Sequence, residues 1–316
     1  MTTIYDAYLL AFFRSEESEN GEQLRFAVST GAAPTSWTEL NGGCPVLTSR
    51  IGEGGVRDPF VVRDERLGRF VIVATDLRTW PDHDWGRATR WGSRSIVVWE
   101  SADLVHWEAP RLVEVAPEGA GNTWAPKAFW SDARQCWLLF WASALFASGK
   151  DRAAGSYQRI MVAETTDFRT FGPARTHLDL GHDVIDLTFL HDGDDWYRFS
   201  ANAQVPGGSA HVGHHIFMER GTALEQPDYA PLTIDVGKDV MQRAEGPAVT
   251  RAVDGDGWYL LADEFGLRGY QLFHTTDLAS GEWTHLPGAA LPPGARHGSL
   301  LPITAQERER MLARTW

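Results

Sequence analysis

Alternating apolar and polar residues recur along the chain in a pattern that predicts β-strands. In one repeated element, an apolar strand is followed by Ser or Thr, then Asp, then an aromatic residue. Its copies are SIVVWESADLVHW (Ser95–Trp107), RIMVAETTDFRTF (Arg159–Phe171) and QLFHTTDLASGEW (Gln271–Trp283), with a looser copy in LRFAVSTGAAPTSW (Leu24–Trp37). No helical period longer than two turns is found before AQERERML near the C-terminus. The chain is therefore predicted to be built from strands.

A second element precedes each copy of the first and predicts a hairpin with an aromatic-rich second strand. The turns DERLG, SDARQ, DGDD and DGDG supply the Asp and Gly residues that favour tight hairpins. The four copies are Asp58–Asp76, Ala125–Ser143, Asp186–Asn202 and Glu245–Glu264. Taken together, the two elements indicate repeating units of about four strands.

Units of roughly 55–70 residues with four strands each are typical of propeller blades. Four units begin near Asp58, Trp124, Asp186 and Glu245. The fifth is expected from both ends of the chain, with ARHGSLLPIT (Ala295–Thr304) as its inner strand and YDAYLLAFF and EQLRFAVSTG as outer strands. Such closure removes an open sheet edge. We predict an all-β fold, a five-bladed β-propeller forming a single domain over residues 1–316.

Composition and charge narrow the classes of partner. The net charge is −13 and no basic run is present, which argues against nucleic acid and anionic membranes. No apolar stretch is long enough for a membrane span and no signal peptide is recognised, so a cytoplasmic location is expected, with a secreted mature form as the alternative. The two cysteines, Cys44 and Cys136, do not make a disulfide scaffold.

The first residues of the five inner strands are expected to meet at one mouth of the ring. The sequence places polar residues at these positions: Asp58, Lys127, Asp186, Glu245 and His297. Three carboxylates at the same relative position of the repeat are costly if they serve structure alone, because like charges repel in a partly desolvated space. The pattern therefore indicates a functional site at this mouth.

The motifs VRDPF, NTWAPKAF, VIDLTF, RAEGPAV and RHGS resemble the ordered motifs of glycoside hydrolase family 43, a family of five-bladed propellers. The resemblance covers essentially the whole chain. It implies that Asp58 is the general base, that Glu245 is the general acid, and that Asp186 orients the acid and raises its pKa. It also implies that His297 lies at the base of the pocket, near the axis. Family members often hold a structural calcium or a water there, so His297 is the candidate metal ligand, directly or through water.

The chemistry of inverting hydrolysis supports the same assignment. One carboxylate activates water and a second, protonated carboxyl donates to the leaving oxygen, with about 6.5–9.5 Å between them. Asp58 and Glu245 belong to blades that are not neighbours, so they can face each other across the pocket. Repulsion from Asp186 is expected to keep Glu245 protonated.

The resemblance implies an inverting exo-glycosidase, an α-L-arabinofuranosidase first and a β-D-xylosidase next, that acts on a small oligosaccharide or glycoside without a required cofactor. A β-D-galactofuranosidase is an alternative within the same fold and mechanism. A non-catalytic sugar-binding propeller is the alternative from another class. A retaining fructan hydrolase shares VRDP but needs an Asn-Asp-Pro nucleophile and a Glu-Cys acid, for which the chain offers only Asp6 and Glu245.

Substrate contacts are expected from residues that flank the inner-strand positions. Arg57, Arg243 and Arg296 each lie one or two residues from such a position, and Trp124 precedes an inner strand. Other stacking candidates lie in the long loop RTWPDHDWGRATRWGSR, namely Trp80, Trp85 and Trp91.

Two positions depart from the family's pattern. Leu187 replaces a frequent Pro, and Lys127 follows WAP where an acidic or small residue is common. Lys127 is expected to alter the sugar subsite or to pair with Asp186.

The histidine-rich stretch HVGHH contains His211 and His215, four residues apart. That spacing serves metal binding on a helix, but here it follows a loop, so loop or rim histidines are favoured over a zinc site.

Overall fold

The computed structural model describes residues 3–147, 152–153, 155–202 and 214–316. In chain order the strands are β1 (Ala7–Phe13), β2 (Arg25–Ser29), β3 (Trp37–Glu39), β4 (Val56–Asp64), β5 (Arg69–Asp76), β6 (Ser95–Ser101), β7 (Arg111–Glu114), β8 (Trp124–Ser131), β9 (Cys136–Ala144), β10 (Gln158–Thr165), β11 (Arg175–Leu178), β12 (Val184–Asp192), β13 (Asp195–Asn202), β14 (His215–Gly221), β15 (Ala230–Thr233), β16 (Glu245–Arg251), β17 (Trp258–Glu264), β18 (Gly269–Thr275), β19 (Thr284–His285) and β20 (Arg296–Ile303). The α-helices are α1 (Trp85–Arg90) and α2 (Ala305–Ala313). Neither helix is long and apolar enough to cross a membrane, in the part of the chain that the structure describes.

The strands form five antiparallel sheets of four, which are the five blades of a β-propeller. Blades 1 to 4 follow the chain as β4–β7, β8–β11, β12–β15 and β16–β19. In blade 5 the C-terminal strand β20 is the inner strand and β1, β2 and β3 lie outside it. The inner strands β4, β8, β12, β16 and β20 contact one another in a closed ring. Both the five-bladed fold and the closure by the two chain ends are confirmed.

The repeated Ser/Thr-x-Asp element is a turn that ends the third strand of a blade. In blade 2 the hydroxyl of Thr165 accepts from the backbone N–H of Phe168, and Asp167 accepts from Arg169 and Thr170. In blade 1 the hydroxyl of Ser101 accepts from the backbone N–H of Asp103. Short polar side chains that bind nearby backbone N–H groups stabilise such turns. The sequence repeat therefore arises from one local device that turns the third strand toward the fourth.

Apolar side chains pack between adjacent blades and hold the ring together. The largest cluster joins blades 2, 3 and 4, and in it the rings of Phe140 and Phe189 lie 5.0 Å apart. Phe199 and Phe273, both fully buried, belong to the same cluster. Aromatic pairs at this spacing add to the free energy of apolar burial. The inter-blade core fixes the position of each inner strand around the axis.

Every inner strand carries the same bulge near its start. Two residues of the inner strand stand opposite one of the neighbouring strand, as between Arg57 and Phe60 in blade 1 and between Glu245 and Ala248 in blade 4. The first residue of each bulge has a positive φ, and these residues are Asp58, Ala125, Asp186, Gly246 and His297. A left-handed residue in a bulge turns its side chain out of the strand's alternation. At three of these positions, Asp58, Asp186 and His297, the bulged residue lines the cavity at the start of the inner strands.

The five bulges correct the predicted register of the repeat. The positions equivalent to Asp58 are Ala125, Asp186, Gly246 and His297, so Lys127 lies two residues too late. Glu245 lies one residue before the bulge position of blade 4 and therefore corresponds to Arg57 of blade 1. Both residues form the last regular pair before the bulge, Glu245 with Asp263 and Arg57 with Thr75. The expectation that three carboxylates share one register position is wrong. Two share it, and the third comes from the position before it.

Gly246 is required at its bulge position. With φ at +58°, a Cβ there would lie 2.8 Å from the ring of His297. A side chain at this position would displace the histidine from the axis, so the glycine allows Glu245 and His297 to meet.

Candidate active site

A cavity of about 330 Å³ opens at the mouth where the inner strands begin. Its polar lining consists of Glu16, Arg57, Asp58, Asp186, Glu245, Arg296 and His297. Its apolar lining consists of Leu77, Trp85, Trp124, Ile185 and Phe265. A concave site with an apolar wall and a few convergent charged groups is typical of a ligand pocket.

His297 lies on the axis among carboxylates. Its Nδ1 is 3.2 Å from Asp58 Oδ1 and 3.5 Å from Asp186 Oδ2. Its Nε2 is 2.8 Å from Glu245 Oε1 and 3.5 Å from Asp263 Oδ2. Burial lowers the pKa of His297, but the charges of Asp186 and Glu245 and the hydrogen bonds to Asp58 and Glu245 raise that pKa well above its usual range. The imidazolium ring therefore supplies a cation that holds the carboxylates together.

Asp58 is buried and ionised. Its Oδ2 accepts a 2.6 Å hydrogen bond from the hydroxyl of Thr75, which itself accepts from the backbone N–H of Ala125 in the next blade. Burial raises the pKa of Asp58, but the hydrogen bond and charge of His297, then Arg57 and Thr75, lower that pKa to about 2. An ionised carboxylate in a pocket is a ready proton acceptor at neutral pH.

We expect Thr75→Val to move the acid limb of the pH profile of kcat/KM upward and to lower kcat by about tenfold, since a net hydrogen bond to a charged group is worth about 1.5–3 kcal/mol. The hydroxyl of Thr75 stabilises the ionised form of Asp58, so its loss raises the pKa of Asp58, and this carboxyl remains protonated to a higher pH. Steady-state kinetics across pH would measure both effects. Thr75→Ser keeps the hydroxyl and is the control, and equal profiles for both variants would contradict this role.

Glu245 is held between a guanidinium and the axial histidine. Arg296 Nη2 is 2.7 Å from Glu245 Oε1, and Arg296 Nε is 2.8 Å from the fully buried Asp263 Oδ2. His214 Nδ1 lies 3.9 Å from the other oxygen of Glu245. Burial raises the pKa of Glu245, but His297 and then Arg296 lower that pKa to about 2. The prediction that Asp186 keeps Glu245 protonated is wrong for this arrangement, because the charges of His297 and Arg296 outweigh the repulsion.

Asp186 shows the opposite shift. Its Oδ2 accepts a 2.8 Å hydrogen bond from the backbone N–H of Gly246, and one imidazole nitrogen lies 3.5 Å away. Burial, and the charges of Glu245 and Asp58, raise the pKa of Asp186 against the opposing effect of His297. A proton shared between the carboxyls of Asp186 and Glu245 therefore favours Asp186.

The rim of the pocket is built around Arg57. Its guanidinium lies 4.6 Å from the ring centre of Phe13 and 4.8 Å from that of Trp85. It also pairs with Glu16 at 3.3 Å and with the buried Glu22 at 3.1 Å. The stacked and paired guanidinium is fixed in direction, so Arg57 presents a rigid donor group at the rim.

Trp124 lines the pocket, as does Trp85 from the long loop. Their rings meet edge to face with centres 6.2 Å apart. Together they form an aromatic corner of the kind that packs against the apolar face of a sugar ring. Trp80 and Trp91 do not line the cavity: Trp80 contacts His83, and Trp91 is covered by Arg152 at 4.5 Å.

Two predicted substrate contacts lie outside the cavity lining. Lys127 is buried beneath it, with its Nζ 5.4 Å from the ring centre of Phe60, and it forms no ion pair among the described residues. Arg243 stacks on the outer side of Phe265 at 4.7 Å and donates to its carbonyl. Direct sugar contact by either residue is therefore not supported. Burial lowers the pKa of Lys127 against the opposing charges of Asp186 and Asp58. Arg243 supports the wall residue Phe265.

The axial groups fit a directly bound calcium poorly. Asp186, Glu245 and His297 offer three ligand atoms within 4.8 Å of one another. Calcium, however, takes six to eight oxygen ligands, whereas both imidazole nitrogens here contact carboxylates. The imidazolium thus stands where a cation would be needed. An axial calcium held through water stays a prediction, and no chemical step proposed for this site depends on it.

The histidine-rich stretch is not supported as a zinc site. Of its two candidate ligands, His211 lies outside the described residues and His215 pairs with Asp235 at 3.0 Å.

Sequence reasoning missed several residues of the site. Glu16 arrives from the loop after β1, and only its acidic context, RSEES, marked it. Asp263 sits opposite Glu245 on the neighbouring strand, a pairing that becomes visible only with the hairpin register. Thr75, Phe265 and Ile185 are residue types that carry no signal of a site in a single sequence.

Comparison with known proteins places these features in context. The profile of a family described as "Probable glycosyl hydrolase domain", related to glycoside hydrolase family 43, matches residues 3–309. An α-L-arabinofuranosidase of Bifidobacterium longum subsp. longum is 30% identical over 303 residues, which cover 85% of this chain and 28% of that protein. The chain thus spans less than a third of the length of this relative.

Solved structures share the fold at low sequence identity. A thermostable family-43 glycoside hydrolase superposes with a TM-score of 0.55 and 18% identity, covering 80% of this chain and 81% of that one. The GH93 α-L-arabinofuranosidase of Fusarium graminearum, solved with arabinobiose, gives a TM-score of 0.58 and 16% identity, covering 93% of this chain and 80% of that one. Both likenesses concern the propeller architecture.

Proposed function

The chain belongs to the family of glycosyl hydrolases related to glycoside hydrolase family 43, and on this basis we propose that it is an inverting exo-glycosidase that removes terminal α-L-arabinofuranosyl residues. The observation that carries the proposal is the meeting of Asp58 and Glu245, from blades that are not neighbours, in one pocket that Asp186 also lines. An acid and a base on separate sides of a sugar are what inversion needs. The related arabinofuranosidase supports the choice of sugar.

Asp58 acts as the general base. Its low pKa keeps the carboxylate ionised, and the hydroxyl of Thr75 fixes one of its oxygens. The other oxygen faces the imidazolium of His297. Asp58 takes a proton from the attacking water as that water bonds to the anomeric carbon.

Glu245 acts as the general acid and protonates the glycosidic oxygen as the bond to the leaving group breaks. Its contacts with His297 and Arg296 lower the pKa of Glu245 and favour the ionised form. A bound sugar that draws the guanidinium away from Glu245 would raise the pKa of Glu245. Asp186 then supplies the proton to Glu245, because the raised pKa of Asp186 favours its protonated form. One oxygen of Asp186 lies within 4.8 Å of one oxygen of Glu245.

The size and walls of the pocket favour an exo mode of attack. A volume of about 330 Å³ is at the small end of the range for ligand sites, which suits one terminal sugar. The eighteen-residue connection of blade 1 (residues 77–94) supplies Leu77 and Trp85 to the wall. The aromatic corner of Trp85 and Trp124 provides an apolar surface for the sugar ring.

We expect Arg296→Met to raise KM and to shift the alkaline limb of kcat/KM upward by about one unit or more. The guanidinium favours the ionised form of Glu245, so its removal raises the pKa of Glu245, and the acid remains protonated to a higher pH. Kinetics from pH 2 to pH 9 on a soluble arabinofuranoside would measure both changes. Arg251→Met, on an exposed arginine that pairs with Asp192, is the control. An unchanged alkaline limb would contradict the proposed effect of Arg296 on the acid.

A panel of 4-nitrophenyl glycosides tests the substrate. The panel contains α-L-arabinofuranoside, β-D-xylopyranoside and β-D-galactofuranoside, and we expect the fastest release from the first. Faster release of 4-nitrophenol from another member would change the proposed sugar but leave the proposed mechanism unchanged. If none of these or the matching oligosaccharides is hydrolysed, the enzymatic proposal fails in favour of a sugar-binding propeller.

A further inference from the structure

A second and larger cavity, of about 510 Å³, opens beside the pocket between blades 4 and 5. The two cavities share Arg296 in their linings. Residues adjacent in sequence line different cavities. Ser15 and Gly266 line the second cavity, whereas their neighbours Glu16 and Phe265 line the pocket. Only a narrow ridge therefore separates the two spaces, which we call the pocket and the side groove.

The lengths of the connections explain why the mouth is open on this side. In each antiparallel blade, the connection between the second and third strands returns to the face where the inner strand begins. In blade 1 this connection has eighteen residues (77–94) and in blade 5 it has eleven (14–24). In blade 4 it is a four-residue turn (265–268), the shortest of the five. The wall is therefore lowest over blade 4, where the side groove lies.

The charges that line the side groove are already paired. Arg268 bonds to Glu264 and to the carbonyl of Val240, and Arg296 bonds to the buried Asp263 and to Glu245. No unpaired charged group among the described lining residues remains to select an ionic ligand. Recognition in this space therefore depends on neutral groups.

Neutral hydrogen-bonding groups and small apolar surfaces alternate along the side groove. Ser15 and Gln271 are half-buried and supply polar groups, and the Gln271 amide is held in place by the carbonyls of Gly269 and Tyr270 and by His285. Leu267 is 50% exposed and offers apolar surface in the same lining. Pro287 and Pro293 add rigid apolar faces. This combination matches neutral saccharides, whose rings carry both hydroxyl groups and C–H faces.

We propose that the side groove binds the leaving-group portion of the substrate, a neutral oligosaccharide, and so selects an arabinofuranosyl group that is attached to a chain of sugars. The inference rests on the proposed function, because it is the proposed acid that sets the direction of the leaving group. Glu245 must touch the leaving oxygen, and Glu245 begins the inner strand of blade 4, beside Arg296. A leaving group that passes this acid enters the side groove over the low wall of blade 4.

The test uses a variant that fills the side groove. Ala289 lines it and is half-buried, so Ala289→Trp places a large ring there without changing a residue of the pocket. Ala174→Trp is the matched control, because Ala174 is also half-buried and lines a cavity of about 340 Å³ in blade 2. Gln271→Ala, which removes a polar group instead of adding bulk, is a second variant should the tryptophan disturb folding.

Binding of xylotetraose and of (1→5)-α-arabinotetraose is measured by calorimetry on the full chain. We expect wild type and Ala174→Trp to bind at least one of the two, and Ala289→Trp to bind it at least tenfold more weakly, about 1.4 kcal/mol. Gln271→Ala is expected to weaken the same binding. Equal affinities for wild type, Ala289→Trp and Gln271→Ala, or no binding of either probe to wild type, would overturn the proposal.

Hydrolysis separates failure of the side groove from failure of the proposed function. On 4-nitrophenyl α-L-arabinofuranoside, whose leaving group is too small to fill the side groove, Ala289→Trp should keep kcat/KM within about twofold of wild type. On an arabinofuranosyl-substituted xylotetraose it should lose at least tenfold. An inactive wild type would refute the proposed hydrolytic function. The calorimetric comparison would still decide whether the side groove binds saccharides.

Discussion

Glu245→Gln is expected to lower kcat on an arabinofuranosyl oligosaccharide by about 10³-fold, within the range that a general acid contributes. The amide keeps the shape of the side chain but carries no carboxyl proton to give to the leaving oxygen. The loss should shrink as the leaving group becomes more acidic, because a 2,4-dinitrophenolate departs with little protonation. Steady-state kinetics on substrates of graded leaving-group pKa would show this dependence.

Glu164→Gln is the matched control for the acid variant. Glu164 lies in blade 2, where it pairs with Arg134 at 2.8 Å, and it does not line the pocket. The control should keep wild-type kcat on every substrate. An acid variant with full activity on the oligosaccharide, or with the same loss for all leaving groups, would remove Glu245 from the role of acid.

Asp58→Asn is expected to lower kcat by about 10³-fold as well, but by the same factor for all leaving groups. The amide cannot take a proton from the attacking water, and that need is independent of how well the leaving group departs. Asn tolerates the left-handed backbone that position 58 adopts, with φ of 51°, so the bulge should be preserved. Arabinose titrations should show that the variant still binds sugar.

Asp192→Asn is the control for the base variant. Asp192 ends an inner strand at the opposite side of the ring and pairs with Arg251 at 3.2 Å. Wild-type rates are expected from it. A base variant that responds to the leaving group in the same way as Glu245→Gln would mean that the two carboxylates do not have separate roles.

The architecture could be predicted from the sequence because it depends on repeated local signals. The Asp-Gly turns, the Ser/Thr-x-Asp turns and the alternating strands recur in each blade, so errors in one copy are corrected by the others. The closure of blade 5 followed from the apolar strand near His297 and the strands at the N-terminus. Asp58, Asp186, Glu245, Arg57, Arg296, His297 and Trp124 all line the same pocket.

The register and the electrostatics could not be predicted from one sequence. A bulge adds one residue to an inner strand without a signature of its own, which is why Lys127 was placed at the mouth. The pKa of Glu245 depends on how closely Arg296 and His297 approach it, and those distances follow from the pairing of Arg296 with the buried Asp263. The wall residues Glu16 and Phe265 come from connections whose course is set by tertiary packing.

The axial histidine links the pKa of the proposed base to that of the proposed acid. His297 contacts Asp58 through one nitrogen and Glu245 through the other, so the proposed base and acid share one cation. That shared contact lowers the pKa of both carboxyls and favours their ionised forms. Binding of a sugar between them then changes both pKa values together, which couples the readiness of the base to that of the acid.

The central claim is that this pocket hydrolyses an α-L-arabinofuranosyl bond by direct displacement with water. The most direct test is proton NMR of the first-formed sugar from 4-nitrophenyl α-L-arabinofuranoside, recorded before mutarotation. We expect the β-anomer to appear first, since Asp58 directs water to the face opposite the leaving group. Initial formation of the α-anomer would show retention and would contradict the roles given to Asp58 and Glu245.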